Sequence, residues 1–436
     1  MTQERVLTYR TVSELRPDPL NPRKHNSAQL RALARCIRRF GFNAPILVDK
    51  HNKIIAGHGR LEGAKLAGLV HVPVIALDDL TETQAKAYML ADNKLSDRSS
   101  WDEALLAINL KELSEIVCGF DIEDTGFEIP EVDLLIQSME DEDETDQADD
   151  ISVQVGPSVS VAGDVWTLGE HRVICGDALD AASYITLLHE EKAAAVFTDA
   201  PYNVRINGNV SGLGKVQHRE FAMASGEMTH DAFASFLTRA FGHCKAWTTP
   251  GSLIYAAMDW RHLAEMEFAR QANDLDLINV CVWVKSNGGM GAFYRSRHEL
   301  IFVFRNGPTP HRNNVQLGKF GRNRTNVWHY AGANSFPRRG GQDDWDLHPT
   351  VKPVRLVSDA LLDSTKRGDV ILDPFLGSGT TVLAAERTGR IAHAIELDPI
   401  YVDTSILRWQ KLTGKKACDA TGATFEQRKH QLPHNE

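Results

Sequence analysis

The chain has no pair of cysteines in the C-x-x-C spacing; its six cysteines are scattered at positions 36, 118, 175, 244, 281 and 418. That spacing excludes the common structural zinc arrangements and reads as reduced thiols in a cytosolic protein. The 17 histidines show no ligand spacing either, so no metal is expected. No apolar run reaches the roughly 18 residues that a membrane span needs. The opening Met1-Thr2-Gln3-Glu4-Arg5 lacks the apolar stretch of a signal peptide. Internal repeats and a recognisable nuclease motif are also missing. Lysine and arginine are absent from residues 121–150, which hold 14 acidic side chains.

That last absence changes the meaning of the net charge. A total of -10 argues against a nucleic-acid partner. Setting the acidic run aside turns the balance of the rest positive. Residues 1–65 carry 13 basic side chains against 5 acidic ones, and residues 305–342 carry seven basic and no acidic ones. Local charge, not the sum, sets the field that a phosphate backbone meets.

With 436 residues, 42% of them hydrophobic, the chain is long enough for two or three domains. Residues 1–115 form one unit. Apolar positions 30, 33, 34, 37 and 40 have a helical period. Short strands are predicted over 45–48 and 54–56, and helices over 61–66, 81–90 and 101–113. Residues 116–160 read as a linker whose dense acidic core, 140–150, repels itself and stays extended. From residue 161 strands and helices alternate. Strands are predicted over 172–175, 194–198, 253–257, 280–284, 300–304, 370–372 and 391–395. Helices are predicted over 354–365 and 380–388, the second closed by Gly389. This alternation predicts a mostly parallel α/β sheet, with residues 305–347 irregular, polar and basic.

Ligands of such sheets bind outside the carboxyl ends of the strands. Two segments stand at such ends. Asp373-Pro374-Phe375-Leu376-Gly377-Ser378-Gly379-Thr380 is a glycine-rich turn between a strand and a helix, where backbone can approach a ligand closely. Glu396 follows Gly377 by 19 residues, an offset that suits an acid bonding a ribose diol. The third glycine of the dinucleotide fingerprint is replaced by Val382, which weakens a nicotinamide reading, and the aspartate before the turn, Phe375 and the downstream Glu396-Leu397-Asp398-Pro399 point to S-adenosylmethionine. Gly176-Asp177 ends a neighbouring strand, and Asp177 could accept from an adenine amino group; the alternative is a plain turn aspartate.

The second segment is Asp199-Ala200-Pro201-Tyr202. An exocyclic amine on a base is a poor nucleophile because its lone pair is delocalised into the ring. Acceptors along its N–H directions localise that pair and take up positive charge as it methylates. The Asp199 carboxylate and the Ala200 carbonyl would be those acceptors, at a turn fixed by Pro201. Tyr202 would stack on a base that has left the helix.

Residues 161–415 resemble the β class of amino-group DNA methyltransferases, in which the catalytic segment precedes the cofactor loop. The family pattern D-P-P-Y is matched with Ala200 in its second position, and F-x-G-x-G is matched by Phe375, Gly377 and Gly379. His348-Pro349-Thr350-Val351-Lys352-Pro353 matches H-P-T-x-K-P. The resemblance implies a Rossmann-like domain that binds S-adenosylmethionine, with Thr350 and Lys352 walling its methionine end. It also implies family positions at Trp283, Lys285, His298 and Glu299. Aspartate at 199 implies adenine N6 as the target, where cytosine N4 enzymes more often carry serine.

Residues 1–115 are similar to the smaller α+β ParB-like N-terminal domain, through Asn21-Pro22-Arg23 and Gly57-His58-Gly59-Arg60. His58 and Gly59 replace two side chains of the G-E-R-R segment that holds nucleotide phosphates in partition proteins. What survives is a glycine turn at a helix start with Arg60, which suits an anion. Duplex DNA is the expected partner. Arg205, Lys215 and Arg219 in the polar loop 203–228, and Arg322 and Arg324 in the presumptive target-recognition region 305–347, are its candidate contacts. Membrane attachment is not expected, and assembly as a homodimer stays open. So do methylation of cytosine N4, of RNA or of a glutamine amide, and a DNA-binding adaptor whose methyltransferase half is inactive.

Overall fold

A computed structural model describes residues 5–96, 100–115, 121–139, 149, 157–203, 226–286, 293–318, 323–331 and 352–431. The chain divides into two units, Met1–Glu140 and Asp141–Glu436. In the first, strands β1 (Leu7–Thr11), β2 (Ile46–Val48), β3 (Ile54–Ala56) and β4 (His71–Ala76) form a sheet of order β1-β4-β2-β3. Helices α1 (Ser27–Phe40), α2 (His58–Ala67) and α3 (Glu82–Ser96) accompany it. Its core is Leu15, Ile46, Val48, Ile54, Leu61, Ala64, Val72 and Val74. β1 and β4 carry no clean period in the sequence and escape prediction. β1 is an edge strand whose first three residues are exposed, and β4 contains Pro73.

Part of the segment predicted to be a linker is helical; nearly all of its acidic core, 140–150, lies outside the described residues. α4 (Glu103–Glu115) is followed by α5 (Ile129–Gln137). Leu110, Val132 and Ile136 are buried together there. Ile129, Val132 and Ile136 lie on one helical face. Their period is hard to see among the surrounding acids, so composition outweighs it in a sequence reading.

The second unit is built on one ten-stranded sheet. Its strands are β5 (Val165–Leu168), β6 (His171–Cys175), β7 (Ala193–Thr198), β8 (Thr248–Met258), β9 (Leu275–Val284), β10 (His298–Asn306), β11 (Val327–His329), β12 (Val370–Asp373), β13 (Ile391–Glu396) and β14 (Cys418–Asp419). The order is β11-β9-β10-β8-β7-β12-β13-β6-β5-β14. The central run β8-β7-β12-β13-β6 is parallel throughout, as the strand–helix alternation predicts. β10 runs against β8 and β9. β11 falls inside the stretch predicted to be irregular; it joins the edge by pairing with β9.

Both faces of this sheet are covered. Helices α9 (Val354–Ser364), α10 (Thr380–Thr388) and α11 (Pro399–Thr413) contribute Leu356, Val382, Ile406 and Trp409 to one core. Helices α6 (Ala181–Leu188), α7 (His230–Ala246) and α8 (Leu263–Ala272) contribute Tyr184, Phe233, Phe236 and Met266 to the other. Within β7, Ala195 and Phe197 belong to the first core and Val196 to the second. Burial on both faces is why parallel strands read as continuous apolar runs. A last helix, α12 (Phe425–His430), buries Phe425 against Trp166. Among the described residues no helix is long and apolar enough to cross a membrane.

The start of this unit is tied to α11 by one carboxylate. Asp403 is fully buried. Its Oδ2 accepts from Val159 N at 2.6 Å, and its Oδ1 from Ser160 N at 3.0 Å and Ser160 Oγ at 2.5 Å. Asp403→Ala leaves those donors without their acceptor. The expected loss is about 3 kcal/mol, read as a lower urea midpoint at unchanged slope.

Candidate active site

β7 and β12 are parallel neighbours, with Ala195 opposite Ile371 and Val196 opposite Leu372. Their chains therefore leave the sheet at the same edge. The first delivers Asp199 and the second the turn from Asp373 to Thr380. Asp199 lies close enough for its charge to act on Asp373.

Beyond β7 the chain bends sharply. Ala200 is buried, and Asn203 adopts a left-handed φ of 52°. The Asn203 side chain closes the base of the following loop. Its Nδ2 donates to Met228 O at 2.9 Å, and its Oδ1 accepts from Gly226 N and Met228 N at 3.1 and 3.2 Å. Asparagine tolerates this conformation better than most residues, but nothing in the sequence marks this one out.

Four chain segments converge on the Asp199 carboxylate. The Tyr202 hydroxyl donates to Asp199 Oδ1 at 2.6 Å, and Lys352 Nζ donates to Oδ2 at 2.6 Å. Lys352 Nζ also lies 2.9 Å from the Tyr202 hydroxyl and 3.0 Å from Glu299 Oε2. Glu299, on β10, accepts in turn from Lys285. Lys285 and Lys352 stand 4.7 and 5.8 Å from the centre of the Trp283 ring. Charges alternate along Asp199, Lys352, Glu299 and Lys285. Burial disfavours the Glu299 carboxylate, yet the two ammonium groups outweigh that and hold its pKa down at about 2. Burial likewise opposes the Lys352 charge, and Asp199 and Glu299 overcome it and raise its pKa. Burial and the two carboxylates push the Tyr202 phenol well above its ordinary range.

Both glycines of the turn adopt left-handed backbone. Gly377 has φ +57°, and a side chain there would enter open space. Gly379 has φ +93°, and a Cβ there would stand 2.8 Å from Ser405 Cβ. Glu396, at the end of β13, accepts from Gly377 N at 2.7 Å and Asp398 N at 2.8 Å. A carboxylate offers about four acceptor positions, so capacity remains for a ligand's hydroxyls. Burial raises the pKa of Glu396 to about 7, and that of Asp373 to about 7 as well. Asp373 accepts from Thr381 Oγ1 at 2.6 Å and Phe375 N at 3.1 Å.

The sequence matches the DNA methylase family over residues 193–407, the ParB N-terminal domain over 1–94 and the ParB-methyltransferase HTH domain over 104–162. Over 253 residues it is 24% identical to Type II methyltransferase M.HpaI of Haemophilus parainfluenzae, which covers 54% of this chain and 72% of that one. Over 84 residues it is 39% identical to the ParB-like nuclease domain-containing protein YnaK of Escherichia coli (strain K12), covering 19% of this chain and 97% of that one. Among solved structures, the M1.HpyAVI–SAM complex is similar over 54% of this chain and 98% of its own, at 17% identity and a TM-score of 0.38. The chain belongs to the DNA amino-methyltransferases that carry a ParB-like N-terminus. The HTH match overlaps the segment in which α4 and α5 pack together.

In this methyltransferase the predicted site residues separate into groups. Asp199, Ala200, Pro201 and Tyr202 stand together at the sheet edge, and Asp373, Phe375, Gly377 and Glu396 stand on the turns that leave neighbouring strands of that edge. Asp177 follows β6, the strand beside β13, but its Oδ1 accepts from Leu179 N at 2.8 Å, which holds the local turn. Ser378 is buried, and its carbonyl and Oγ accept from Arg408 Nη1 at 2.7 and 3.0 Å. Thr380 is buried at the start of α10.

Three of the predicted binding residues have partners within the chain. Lys352, predicted to wall the cofactor, pairs with the Asp199 and Glu299 carboxylates. Arg324, predicted to read DNA, donates to Asp363 Oδ2 at 2.8 Å and Tyr330 OH at 2.9 Å, pairs with Asp359 at 3.3 Å, and lies over Trp328. Two carboxylates hold it, with 19% of its side chain exposed. Arg60, read as suiting either an anion or a purely structural turn, donates Nη1 to Ala44 O at 2.8 Å and Pro45 O at 2.6 Å. Arg205, Lys215, Arg219, Arg322 and Thr350 lie outside the described residues. The part played by Glu299 has no local signal; its spacing from Lys285 matters only once β9 and β10 pair.

The two glycines predict losses of different size. Gly379→Ala combines a left-handed backbone with a clash against Ser405, and is expected to cost more than about 2 kcal/mol of stability. Gly377→Ala carries the backbone strain alone, about 1 kcal/mol. Thermal unfolding of both variants should show a fall in Tm for the first at least twice that for the second.

Proposed function

We propose that this chain transfers a methyl group from S-adenosylmethionine to the N6 amino group of an adenine swung out of duplex DNA. The observation that supports this best is the shared edge. A carboxylate and an adjacent carbonyl stand at the end of β7, beside a glycine cradle and a ribose-type acid at the ends of β12 and β13. The cradle at Gly377 would take the nucleoside part of the cofactor, with Glu396 accepting from its ribose hydroxyls and Asp177 from its adenine amino group. When bound, the cofactor supplies an electrophilic methyl group.

The chain's own residues do the rest. The Asp199 carboxylate and Ala200 carbonyl accept from the target amine, localise its lone pair and compensate the positive charge that develops there. Tyr202 supplies the stacking platform; Lys352 lies 5.3 Å from its ring centre, so the base uses the opposite face. The aspartate at position 199 favours adenine, since cytosine N4 enzymes of the class it resembles more often carry serine there. The basic stretch 305–342 supplies attraction for the phosphate backbone.

Labelled methyl transfer to unmethylated plasmid DNA, followed by digestion to nucleosides, tests this reading. N6-methyladenine is the expected product, and Asp199→Ala should lower its yield roughly a thousandfold. Labelled N4-methylcytosine would overturn the choice of base. DNA left unlabelled by the wild-type protein would overturn the enzymatic reading. Cofactor binding should also depend on pH. Glu396 accepts hydroxyl donors best when ionised, and its pKa is raised to about 7. Affinity for S-adenosylmethionine, measured by calorimetry, should therefore fall as pH drops through that value. Glu396→Gln should bind about tenfold more weakly with most of the pH dependence removed; a variant that keeps the wild-type pH curve would remove Glu396 from this role.

A further inference from the structure

We infer that Phe293 and Tyr294 form an aromatic wedge that enters the DNA duplex and stacks in the space left by the target base. The inference rests on the function proposed above and adds to it the means by which the base is kept out of the helix.

Strand order places this pair at the catalytic edge. β8 runs parallel to β7, and β10 runs against both β8 and β9. The end of β9 and the start of β10 therefore lie at the edge where β7 delivers Asp199. β10 is two strands from β7, about 10 Å at ordinary strand spacing. The connection between β9 and β10 is closed at its base. Lys285 N donates to Arg297 O at 2.9 Å, and Arg297 Nε donates to Lys285 O at 2.7 Å. Glu299, at the start of β10, pairs with Lys352 at 3.0 Å, and Lys352 pairs with Asp199 at 2.6 Å. The base of this hairpin is thus tied to the carboxylate of the site. Phe293 precedes Glu299 by six residues, a length of chain that spans at most about 20 Å. Both rings consequently stay within one turn of a duplex, about 34 Å, from the target base.

Exposure and charge decide what covers these rings. Phe293 is 85% exposed and Tyr294 83%, the highest values of any large hydrophobic side chain among the described residues. Their centroids stand 4.2 Å apart, with the ring planes inclined at 54°. Rings so exposed contribute little to a core, so folding does not account for the pair. Trp283, on β9 at the same edge, is by contrast buried. From Lys285 to His298 the chain carries Lys285, Arg295 and Arg297 and no aspartate or glutamate. A segment of that charge suits a phosphate backbone, and aromatic rings set among basic groups stack on bases. A base that swings out leaves its neighbours unstacked on one side, and the lost stacking opposes the swing. An apolar ring slid between the base steps fills that space. Tyr202 would hold the base outside the helix while Phe293 and Tyr294 occupy the gap inside it, so the two aromatic sites act on the two ends of one movement.

The test is single-turnover methyl transfer by the full chain on two synthetic duplexes that carry its recognition sequence, which long-read sequencing of plasmid methylated by the wild-type protein supplies. In one duplex the target base is paired. In the other it faces a mismatched base, so that part of the cost of leaving the stack is already removed. Each rate is taken relative to wild type on the same duplex. Phe293→Ala/Tyr294→Ala should react about thirtyfold more slowly on the paired duplex, the loss expected when base–aromatic stacking is removed. On the mismatched duplex its rate should come within about threefold of wild type. Phe293→Tyr/Tyr294→Phe keeps both rings and should recover the paired-duplex rate to within about threefold. Tm and S-adenosylmethionine affinity of the alanine variant should match wild type, because both rings are exposed and neither belongs to the glycine cradle. A paired-duplex rate that does not fall would overturn the inference. So would an equal loss on both duplexes, which is what rings that merely aid folding or general DNA attachment would give. Wild-type protein that labels no DNA would instead overturn the function on which the wedge rests.

Discussion

The pairing of β7 with β12 is the constraint on which the site depends. These strands are far apart in the chain, and each ends in a segment with little chemistry of its own. Parallel pairing sends both carboxyl ends to one edge, so a carboxylate and a glycine turn become neighbours without any direct interaction between them. The two cores on either side of the sheet hold that register. A one-residue slip would exchange the faces on which Val196 and Phe197 are buried, and the cost of such a slip keeps the register unique.

The edge is supported from behind. Glu386 on α10 accepts from His171 Nε2 at 2.8 Å and Trp409 Nε1 at 2.9 Å, and Ala392 N donates to His171 Nδ1 at 2.9 Å. The first of these bonds is the largest influence holding the Glu386 pKa at about 2. This network joins β6, β13, α10 and α11 at the end of the sheet away from the ligands. It fixes β13, whose other end carries Glu396. The polar groups at the front are thus held by satisfied polar groups at the back, and neither set is left to loops alone.

Much of the architecture was legible in the sequence because its signals are local. Gly389 closes α10 in a left-handed conformation with φ +67°, as a glycine after a periodic apolar stretch suggests. The central parallel strands stand out because burial on both faces makes them continuous apolar runs. The failures are equally physical. β1 and β4 depend on each other for stability and show little alone. α5 has a helical face masked by acidic neighbours. The partners of Arg324 and Arg60 were not legible either, because an arginine's partner is not written next to it; the fold provides Asp363 and Asp359 for the first, and the carbonyls of Ala44 and Pro45 for the second.

By itself the sequence determined the kinds of chemistry available: an acid, a fixed bend and an aromatic after one strand, and a glycine turn with a later acid around another. Those properties follow from bonds and periods spanning a few residues. Only the tertiary structure decided which charges meet. Lys352 and Asp199 are separated by 153 residues, and a long, flexible ammonium can pair with whatever carboxylate the sheet order brings within reach. That pairing is a property of strand order and register, to which no local spacing in the chain gives access.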